Sequence, residues 1–185
     1  MAFDKLYEKF ICVKEELKSS VLDFRVDEVE LPDGRCAERR YIKHRGAVAV
    51  LPIDNDGNVY LVNQYRYPAG RVTTELPAGK LDSPDEDRLG AAMRELREET
   101  GFTSGKVTFI GEYLGSPAIN TEIIWLYLAE NLSDGEQKLD EDEFLNVVKM
   151  PLSELVSLVM EGKISDGKTA YAALWADKFL SQREQ

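Results

Sequence analysis

The segment LPAGKLDSPDEDRLGAAMRELREETGF, residues 76–102, carries the strongest structural signals in this chain. Its second half carries apolar residues at the spacing i, i+3, i+4 and i+7, namely Leu89, Ala92, Met93 and Leu96. Residues at this spacing share one face of an α-helix. The pattern therefore predicts an amphipathic helix whose apolar face packs against a core.

Signals for both ends of the helix flank this pattern. Ser83 is a candidate N-cap, Pro84 suits the first helical position, and Glu86 follows the serine by three residues, as in a capping box. Gly101 is placed to end the helix as a C-terminal cap. The segment 77–79, Pro-Ala-Gly, predicts a tight turn whose backbone can approach a ligand or offer a carbonyl oxygen.

Three carboxylates gather on one side of the predicted helix. Glu95 and Glu99 are one turn apart, and Glu98 lies beside them. Like charges at this spacing destabilise a helix by roughly 0.2–0.5 kcal/mol per pair, so a compensating cation is expected. An arbitrary acidic run is most often a solvated helix face, but a capped helix and a glycine turn accompany these acids. A hard divalent cation with oxygen ligands fits such a set.

This stretch resembles the signature of the Nudix hydrolases, which has a glycine, a spaced glutamate and then R-E-U-x-E-E-x-G-U, where U is apolar. The spacing from Glu86 to Phe102 fits the family pattern, whereas the spacing from Gly79 to Glu86 is one residue too long. The extra residue falls in the turn containing Pro84, where an insertion costs little. The matching positions are Gly79, Glu86, Arg94, Glu95, Leu96, Glu98, Glu99, Gly101 and Phe102.

The resemblance implies roles for most of these positions. Mg²⁺, or Mn²⁺ as a substitute, would bind to the Ala78 carbonyl and to the carboxylates of Glu95, Glu98 and Glu99. Glu98 also counts among the catalytic candidates. An ion pair between Glu86 and Arg94 would set the loop against the helix. The positions with a structural role would be Gly79, Glu86, Arg94 and Gly101.

Pro117 lies sixteen residues after Gly101 and matches a proline that marks the ADP-ribose pyrophosphatase branch of the family. The segments ELPAGKL and LDEDEF support this branch. The resemblance implies hydrolysis of ADP-ribose to AMP and ribose 5-phosphate. The alternatives are hydrolysis of another nucleotide sugar or nucleoside diphosphate derivative, such as GDP-mannose, and nucleotide binding without catalysis.

The resemblance also implies a base and a set of substrate contacts. An acidic run is usually a solvated turn, but relatives with a comparable mobile loop use a glutamate there to activate water, which points to Glu141 first and Glu143 second. Arg66 either forms a surface ion pair or grips a phosphate with two hydrogen bonds. Glu75 either pairs with an arginine or helps to bind substrate or metal. The substrate-binding candidates are Arg66, Glu75, Arg45, Arg71 and Pro117.

The flanking sequence predicts an α+β protein, and the resemblance sharpens this to an α/β/α sandwich around a mixed sheet. Residues 1–45, with a strand from Val21, would form a small antiparallel β unit for dimerisation or substrate contact, and residues 46–185 the Nudix domain. Residues 46–53 and 59–67 predict the two strands of a hairpin. Further strands are predicted at 107–115, 122–130 and 145–150, and helices at 152–161 and 168–179.

The composition limits the partners of the chain. Asp and Glu total 34 against 23 Lys and Arg, a formal net charge of −11, which argues against binding to nucleic acids or anionic membranes. The two cysteines form no disulfide framework, and neither a signal peptide nor a membrane-spanning run is found, so a cytoplasmic protein is expected. A small nucleotide sugar is the expected ligand, and the resemblance implies a homodimer.

Overall fold

The structure is a computed structural model that describes residues 5–19, 22–141 and 143–183. Its strands are β1 (Lys9–Leu17), β2 (Asp23–Glu30), β3 (Cys36–Lys43), β4 (Ala47–Pro52), β5 (Asn58–Arg66), β6 (Arg71–Glu75), β7 (Ala78–Lys80), β8 (Thr103–Tyr113), β9 (Ile124–Ser133) and β10 (Leu145–Pro151). Its helices are α1 (Arg88–Thr100), α2 (Leu152–Met160) and α3 (Gly167–Arg183). The chain divides into two compact units, Met1–Arg45 with Ser116–Glu122, and Gly46–Gly115 with Ile123–Gln185.

The first unit contains the antiparallel sheet β1-β2-β3. The β2–β3 hairpin turns through Gly34, whose φ of 84° suits glycine. The segment Ser116–Glu122 joins this unit through a hydrogen bond of 2.8 Å from Ile42 N to Ile119 O. Strand β1 was not predicted, and every one of its side chains is exposed. The predicted strand start at Val21 lies outside the described residues.

The second unit is built around the mixed sheet β7-β4-β9-β8, in which β4 and β9 are parallel. Strand β4 is buried on both faces. On one face, Ala49 and Leu51 pack in the same cluster as α2 and α3, and on the other, Val48 and Val50 pack with α1. This arrangement confirms the predicted α+β class and the α/β/α sandwich.

The predicted hairpin between residues 46–53 and 59–67 is wrong. Strand β5 belongs to a separate antiparallel sheet, β10-β5-β6, and its ladder pairing with the preceding segment is limited to the isolated antiparallel bridge between Ile53 and Val59. Strand β4 already pairs with β7 on one edge and β9 on the other. Its continuous apolar sequence suits such a central position, whereas proximity along the chain had suggested the hairpin.

Helix α1 begins later than predicted. Asp87 is the N-cap, and its Oδ2 accepts a hydrogen bond of 2.8 Å from Gly90 N. Ser83 instead belongs to a turn in which its carbonyl accepts from Glu86 N at 3.2 Å. An aspartate adjacent to the helix satisfies the first free N–H groups as well as serine does, so the residues before it remain a loop. The predicted Gly101 cap is observed, with φ 78°.

Two smaller expectations around α1 also fail. The segment predicted as a tight turn contains β7, a short strand that pairs Ala78 with Ala49. Leu89, placed on the apolar face by its spacing, lies in the first turn and is 45% exposed, whereas Ala92 and Leu96 are fully buried. The strands β8, β9 and β10 and the helices α2 and α3 lie where predicted, with shifted ends. Across the described residues, no helix combines the length and apolarity needed to cross a membrane.

Candidate active site

Helix α1 carries the predicted carboxylates, and packing of the helix decides how deeply each lies. Ala91, Ala92 and Leu96 are buried against the mixed sheet. Glu95 and Glu99, on the neighbouring edge of this face, are 9% and 2% exposed. Glu98 points further outward, with a side chain that is 37% exposed. The helix therefore presents two buried carboxylates and one half-buried carboxylate.

Strand β7 brings its backbone against these carboxylates. The Ala78 N–H donates to Glu99 Oε2 at 3.2 Å. A Cβ atom at Gly79 would overlap the carboxylate of Glu95, so a larger residue here would displace that side chain. Carboxylate and carbonyl oxygens are the ligands that Mg²⁺ prefers. The observed approach of β7 to α1 is thus consistent with a shared oxygen site.

Arg94 links three of the acidic residues. Its NH1 donates to Glu95 Oε1 at 2.7 Å and to Glu98 Oε2 at 3.1 Å, and its NH2 lies 3.5 Å from Glu86 Oε1. Burial lowers the pKa of Arg94, but the charge and hydrogen bonds of Glu95 and the contact with Glu98 outweigh it and raise the pKa. Arg94 therefore stays charged and connects the loop before α1 to the helix.

The two buried carboxylates, Glu95 and Glu99, have too little positive charge nearby to offset the cost of burying their own negative charge. Burial raises the pKa of Glu95 to about 7, with further increases from Glu98 and Glu143, even though Arg94 opposes the shift. Burial also raises the pKa of Glu99 to about 8, and the charges of Glu143 and Glu95 add to it. Carboxylates that are driven toward the neutral form in this way would be stabilised as anions by a bound cation.

No metal cluster is preformed by the side chains as they stand. Among residues 5–19, 22–141 and 143–183, no three Asp, Glu, His or Cys side chains converge closely enough to hold an ion. The contacts above give a reason, because Arg94 binds the carboxylates of both Glu95 and Glu98. An ion would require these side chains to turn from Arg94. The donor set is nonetheless chemically suited to a hard cation, since every candidate ligand is an oxygen.

The acidic loop after β9 is fastened to the C-terminal end of α1. Gln137 Nε2 donates to the carbonyl of Glu99, and Lys138 N donates to the carbonyl of Glu98 at 2.9 Å. These bonds satisfy carbonyls that have no partner within the helix. Further along the loop, Glu143 is close enough to raise the pKa of both Glu95 and Glu99.

The two predicted base candidates differ in their surroundings. Glu143 is half-buried, and its charge raises the pKa of the buried carboxylates. Glu141 is exposed. Asp142, which lies between them, is outside the described residues.

Arg66, at the end of β5, is held by Glu75 at the end of β6. Arg66 Nε and NH2 donate to the two oxygens of Glu75 at 2.8 Å and 2.9 Å. Burial raises the pKa of Glu75, but the hydrogen bond from Arg66 and the charge of Lys168 outweigh it and lower the pKa to about 2. Arg71 lies directly opposite Arg66 in the strand pair and is exposed. Like charges in this position are unfavourable, so this pair would attract an anion.

Comparison with known proteins matches residues 43–173 to the NUDIX domain. The chain belongs to the NUDIX domain family. It is 43% identical over 169 residues to an ADP-ribose pyrophosphatase of Bacillus subtilis (strain 168), covering 90% of this chain and 91% of the relative. It is 39% identical over 171 residues to a methanol dehydrogenase activator of Bacillus methanolicus, covering 91% and 92%. The crystal structure of an ADP compounds hydrolase has the same fold, with a TM-score of 0.82, 21% identity and coverage of 96% and 97%.

The NUDIX signature predicted from the sequence is therefore confirmed as a family assignment, and the structure brings its residues together. Ala78, Gly79, Glu95 and Glu99 meet where β7 crosses α1. Two other candidates lie in the first unit. Arg45 is exposed at the end of that unit, and Pro117 is exposed within the segment Ser116–Glu122. Their predicted contacts with substrate stay predictions.

Two residues of the NUDIX domain that contact this region were not predicted from the sequence. Lys168 and Thr169, in the first turn of α3, are buried and contact Glu75 and Leu76. The run Asp166-Gly-Lys-Thr resembles the start of an ordinary amphipathic helix. The only signal was a lysine and a threonine followed at once by an alanine-rich apolar stretch.

Proposed function

We propose that this chain hydrolyses the diphosphate of ADP-ribose to AMP and ribose 5-phosphate in a Mg²⁺-dependent reaction. The observation that carries this proposal is the pair of buried carboxylates, Glu95 and Glu99, beside the backbone of Ala78. Their raised pKa values indicate a site that lacks positive charge, which a divalent cation would supply. The name of the Bacillus subtilis relative supports ADP-ribose as the substrate.

The metal ligands would be the carbonyl of Ala78 and the carboxylates of Glu95, Glu98 and Glu99. All are hard oxygen donors, so Mg²⁺ fits them and Mn²⁺ is a reasonable substitute. A bound cation would neutralise negative charge on the diphosphate oxygens and so make attack by water easier. Arg94 would release Glu95 and Glu98 to the cation while keeping its contact with Glu86.

The proton of the attacking water would pass to a glutamate of the acidic loop. The water oxygen bonds to phosphorus, the bond from phosphorus to the bridging oxygen breaks, and the loop carboxylate takes the proton. The influence of Glu143 on Glu95 and Glu99 favours it over Glu141 as this base, the reverse of the order that the sequence suggested. Arg66 would bind a phosphate through the part of its guanidinium that Glu75 leaves open, since its side chain is 43% exposed.

A homodimer in the cytoplasm completes the proposal. The apolar side chains of β1 support self-association, because Phe10, Ile11 and Val13 are 53%, 42% and 42% exposed. An exposed apolar strand of this kind is a typical contact surface. Sedimentation equilibrium measures the oligomeric state directly, and a monomer at assay concentrations would refute this part.

The activity is tested by product release from ADP-ribose, GDP-mannose, NADH, a diadenosine polyphosphate and a nucleoside triphosphate, each with Mg²⁺ and with EDTA. We expect metal-dependent AMP release from ADP-ribose at the highest kcat/KM of the panel. The matched controls are Glu99→Gln, which should be inactive, and Glu136→Gln, an exposed loop glutamate that should retain activity. Preference for GDP-mannose would make GDP-mannose the substrate in place of ADP-ribose. The absence of turnover with every compound would favour nucleotide binding without catalysis.

A further inference from the structure

A buried polar cluster lies directly behind Arg66, and the reaction described above does not use it. Glu75, Lys168 and Thr169 are 4%, 8% and 0% exposed. Buried charges are costly unless they are paired and hydrogen-bonded. The contacts of this cluster therefore have to account for the burial of its charges.

Glu75 has a partner at every acceptor position. Its Oε1 accepts from Arg66 Nε at 2.8 Å and from the hydroxyl of Thr73. Its Oε2 accepts from Arg66 NH2 at 2.9 Å and from Lys168 Nζ at 2.5 Å. A carboxylate offers about four lone-pair positions. Glu75 is therefore fully occupied by the protein, and this favours a role in holding Arg66 over direct contact with metal or substrate.

Lys168 is fixed in its place by the start of α3. Its Nζ also lies 3.0 Å from Asp166 Oδ1. Asp166 caps the helix, since its Oδ2 accepts from Thr169 N at 3.1 Å and its carbonyl accepts from Ala170 N at 3.0 Å. The ammonium group thus stands between two carboxylates on a rigid helical turn.

The same helical turn holds the main chain that leads to the carboxylates of α1. The Thr169 hydroxyl accepts a hydrogen bond of 2.8 Å from Leu76 N and donates to Asp166. Leu76 is two residues before Ala78, whose N–H contacts Glu99. The first turn of α3 therefore fixes both the side chain behind Arg66 and the backbone that leads into β7.

The charges of the cluster decide how strongly Arg66 can attract an anion. If Glu75 were paired with Arg66 alone, the carboxylate would cancel the guanidinium charge. Lys168 supplies a second positive charge to the same oxygen that Arg66 NH2 contacts. Lys168 shares its charge with Asp166, so it offsets part of the charge of Glu75 and leaves correspondingly more of the guanidinium charge for an anion at the open side of Arg66.

We propose that Glu75 and Lys168 are positioning residues for diphosphate binding, in which Glu75 holds the guanidinium of Arg66 and Lys168 balances the charge of Glu75. This inference rests on the proposed function, because it assigns Arg66 to the diphosphate. In metal sites, partners one step removed from the ligand change affinity by about 10- to 100-fold, and we expect an effect of this order here.

The test is a double-mutant cycle between Lys168→Met and Arg66→Met. The readout is the Kd of inorganic pyrophosphate, measured by calorimetry in excess Mg²⁺, which needs no turnover. Kinetics with ADP-ribose are measured on the same proteins. Lys163→Met is the matched control, because Lys163 is a surface lysine with a side chain that is 65% exposed.

We expect Lys168→Met to raise the Kd about 10-fold when Arg66 is present, and less than about 2-fold when Arg66 is already methionine. With ADP-ribose, KM should rise while kcat changes less than about 3-fold, because the chemical step is untouched. Lys163→Met should change nothing. Should Lys168→Met fail to fold, Lys168→Gln removes the charge while keeping a hydrogen-bond donor for Glu75.

Equal effects of Lys168→Met in both backgrounds would show a general structural role and overturn the inference, as would no effect in either. A wild-type protein that does not bind pyrophosphate would overturn it too. A coupled effect on pyrophosphate binding in a protein that releases no AMP from ADP-ribose would support the inference and refute only the proposed substrate.

Discussion

Replacing Glu99 with glutamine should stabilise the metal-free protein while removing its activity. Glu99 is 2% exposed, and folding raises its pKa from 4.5 to about 8. Each pH unit between these values corresponds to about 1.4 kcal/mol, so keeping Glu99 in the fold costs up to about 5 kcal/mol above pH 8. Glutamine carries no charge and its carbonyl can still accept from Ala78 N, although its buried amide group needs a partner, at a cost of about 1–3 kcal/mol.

The sign of the pH dependence follows from proton binding. The folded wild type binds more protons than the unfolded chain between pH 4.5 and about 8, so its stability falls as pH rises through this range. Below pH 4.5 the carboxyl group is neutral in both states and the penalty vanishes. We therefore expect Glu99→Gln to be more stable than wild type by about 2 kcal/mol or more at pH 9 and to have no advantage at pH 4.

The assay is urea unfolding in EDTA at pH 4, 7 and 9, followed by circular dichroism. Glu98→Gln is the control, because the side chain of Glu98 is 37% exposed and its removal should change stability by less than about 0.5 kcal/mol. Adding Mg²⁺ should stabilise the wild type and leave Glu99→Gln nearly unchanged. A stability difference between wild type and Glu99→Gln that is the same at all three pH values would show that the buried charge of Glu99 does not cause it.

Three further predictions concern the site and the helix that carries it. Glu143→Gln should lower kcat by about 100-fold or more, and Glu141→Gln by less than about 5-fold, if the half-buried carboxylate is the base; steady-state kinetics with ADP-ribose would contradict this if the two effects were reversed. Asp87→Ala should cost about 1 kcal/mol of stability through loss of the helix cap, whereas Ser83→Ala should cost less than about 0.3 kcal/mol, as thermal unfolding would measure. Gly79→Ala should abolish Mg²⁺-dependent turnover, because the added methyl group would displace the Glu95 carboxylate. Near-native kcat/KM in this variant would contradict the need for Glu95 at its present position.

The family and the sandwich were predictable because their signals are local. The spacing of Glu95, Glu98 and Glu99 on one helix, and the glycine at each end of the segment, are visible in 27 consecutive residues, 76–102. The apolar run of β4 likewise predicts a strand buried on both faces. Such features depend on the period of the helix and the strand, which a sequence records directly.

The errors and omissions arose from contacts between distant segments. Strand β5 pairs with β10, more than 80 residues later in the chain, so its neighbour could not be read from adjacency. Lys168 reaches Glu75 across 93 residues. Asp87 and Ser83 are equally good caps by residue type, and the packing of the helix decided between them. Which strand pairs with β5, which carboxylate pairs with Lys168 and which residue caps α1 all depend on the tertiary structure.

The attachment of the acidic loop to α1 limits how far the loop can move, so the loop acts as a short tether for Glu143. Lys138 is fixed to the Glu98 carbonyl, and the five residues from there to Glu143 can extend by at most about 17 Å. Swinging away from the site therefore never carries Glu143 far, and its local concentration stays high without a rigid loop. Glu143 is also held from the other side, because β10 begins two residues later at Leu145, which pairs with Gln64. Residues inserted on either side of Glu143 would therefore lengthen one of its two links and dilute the carboxylate at the site.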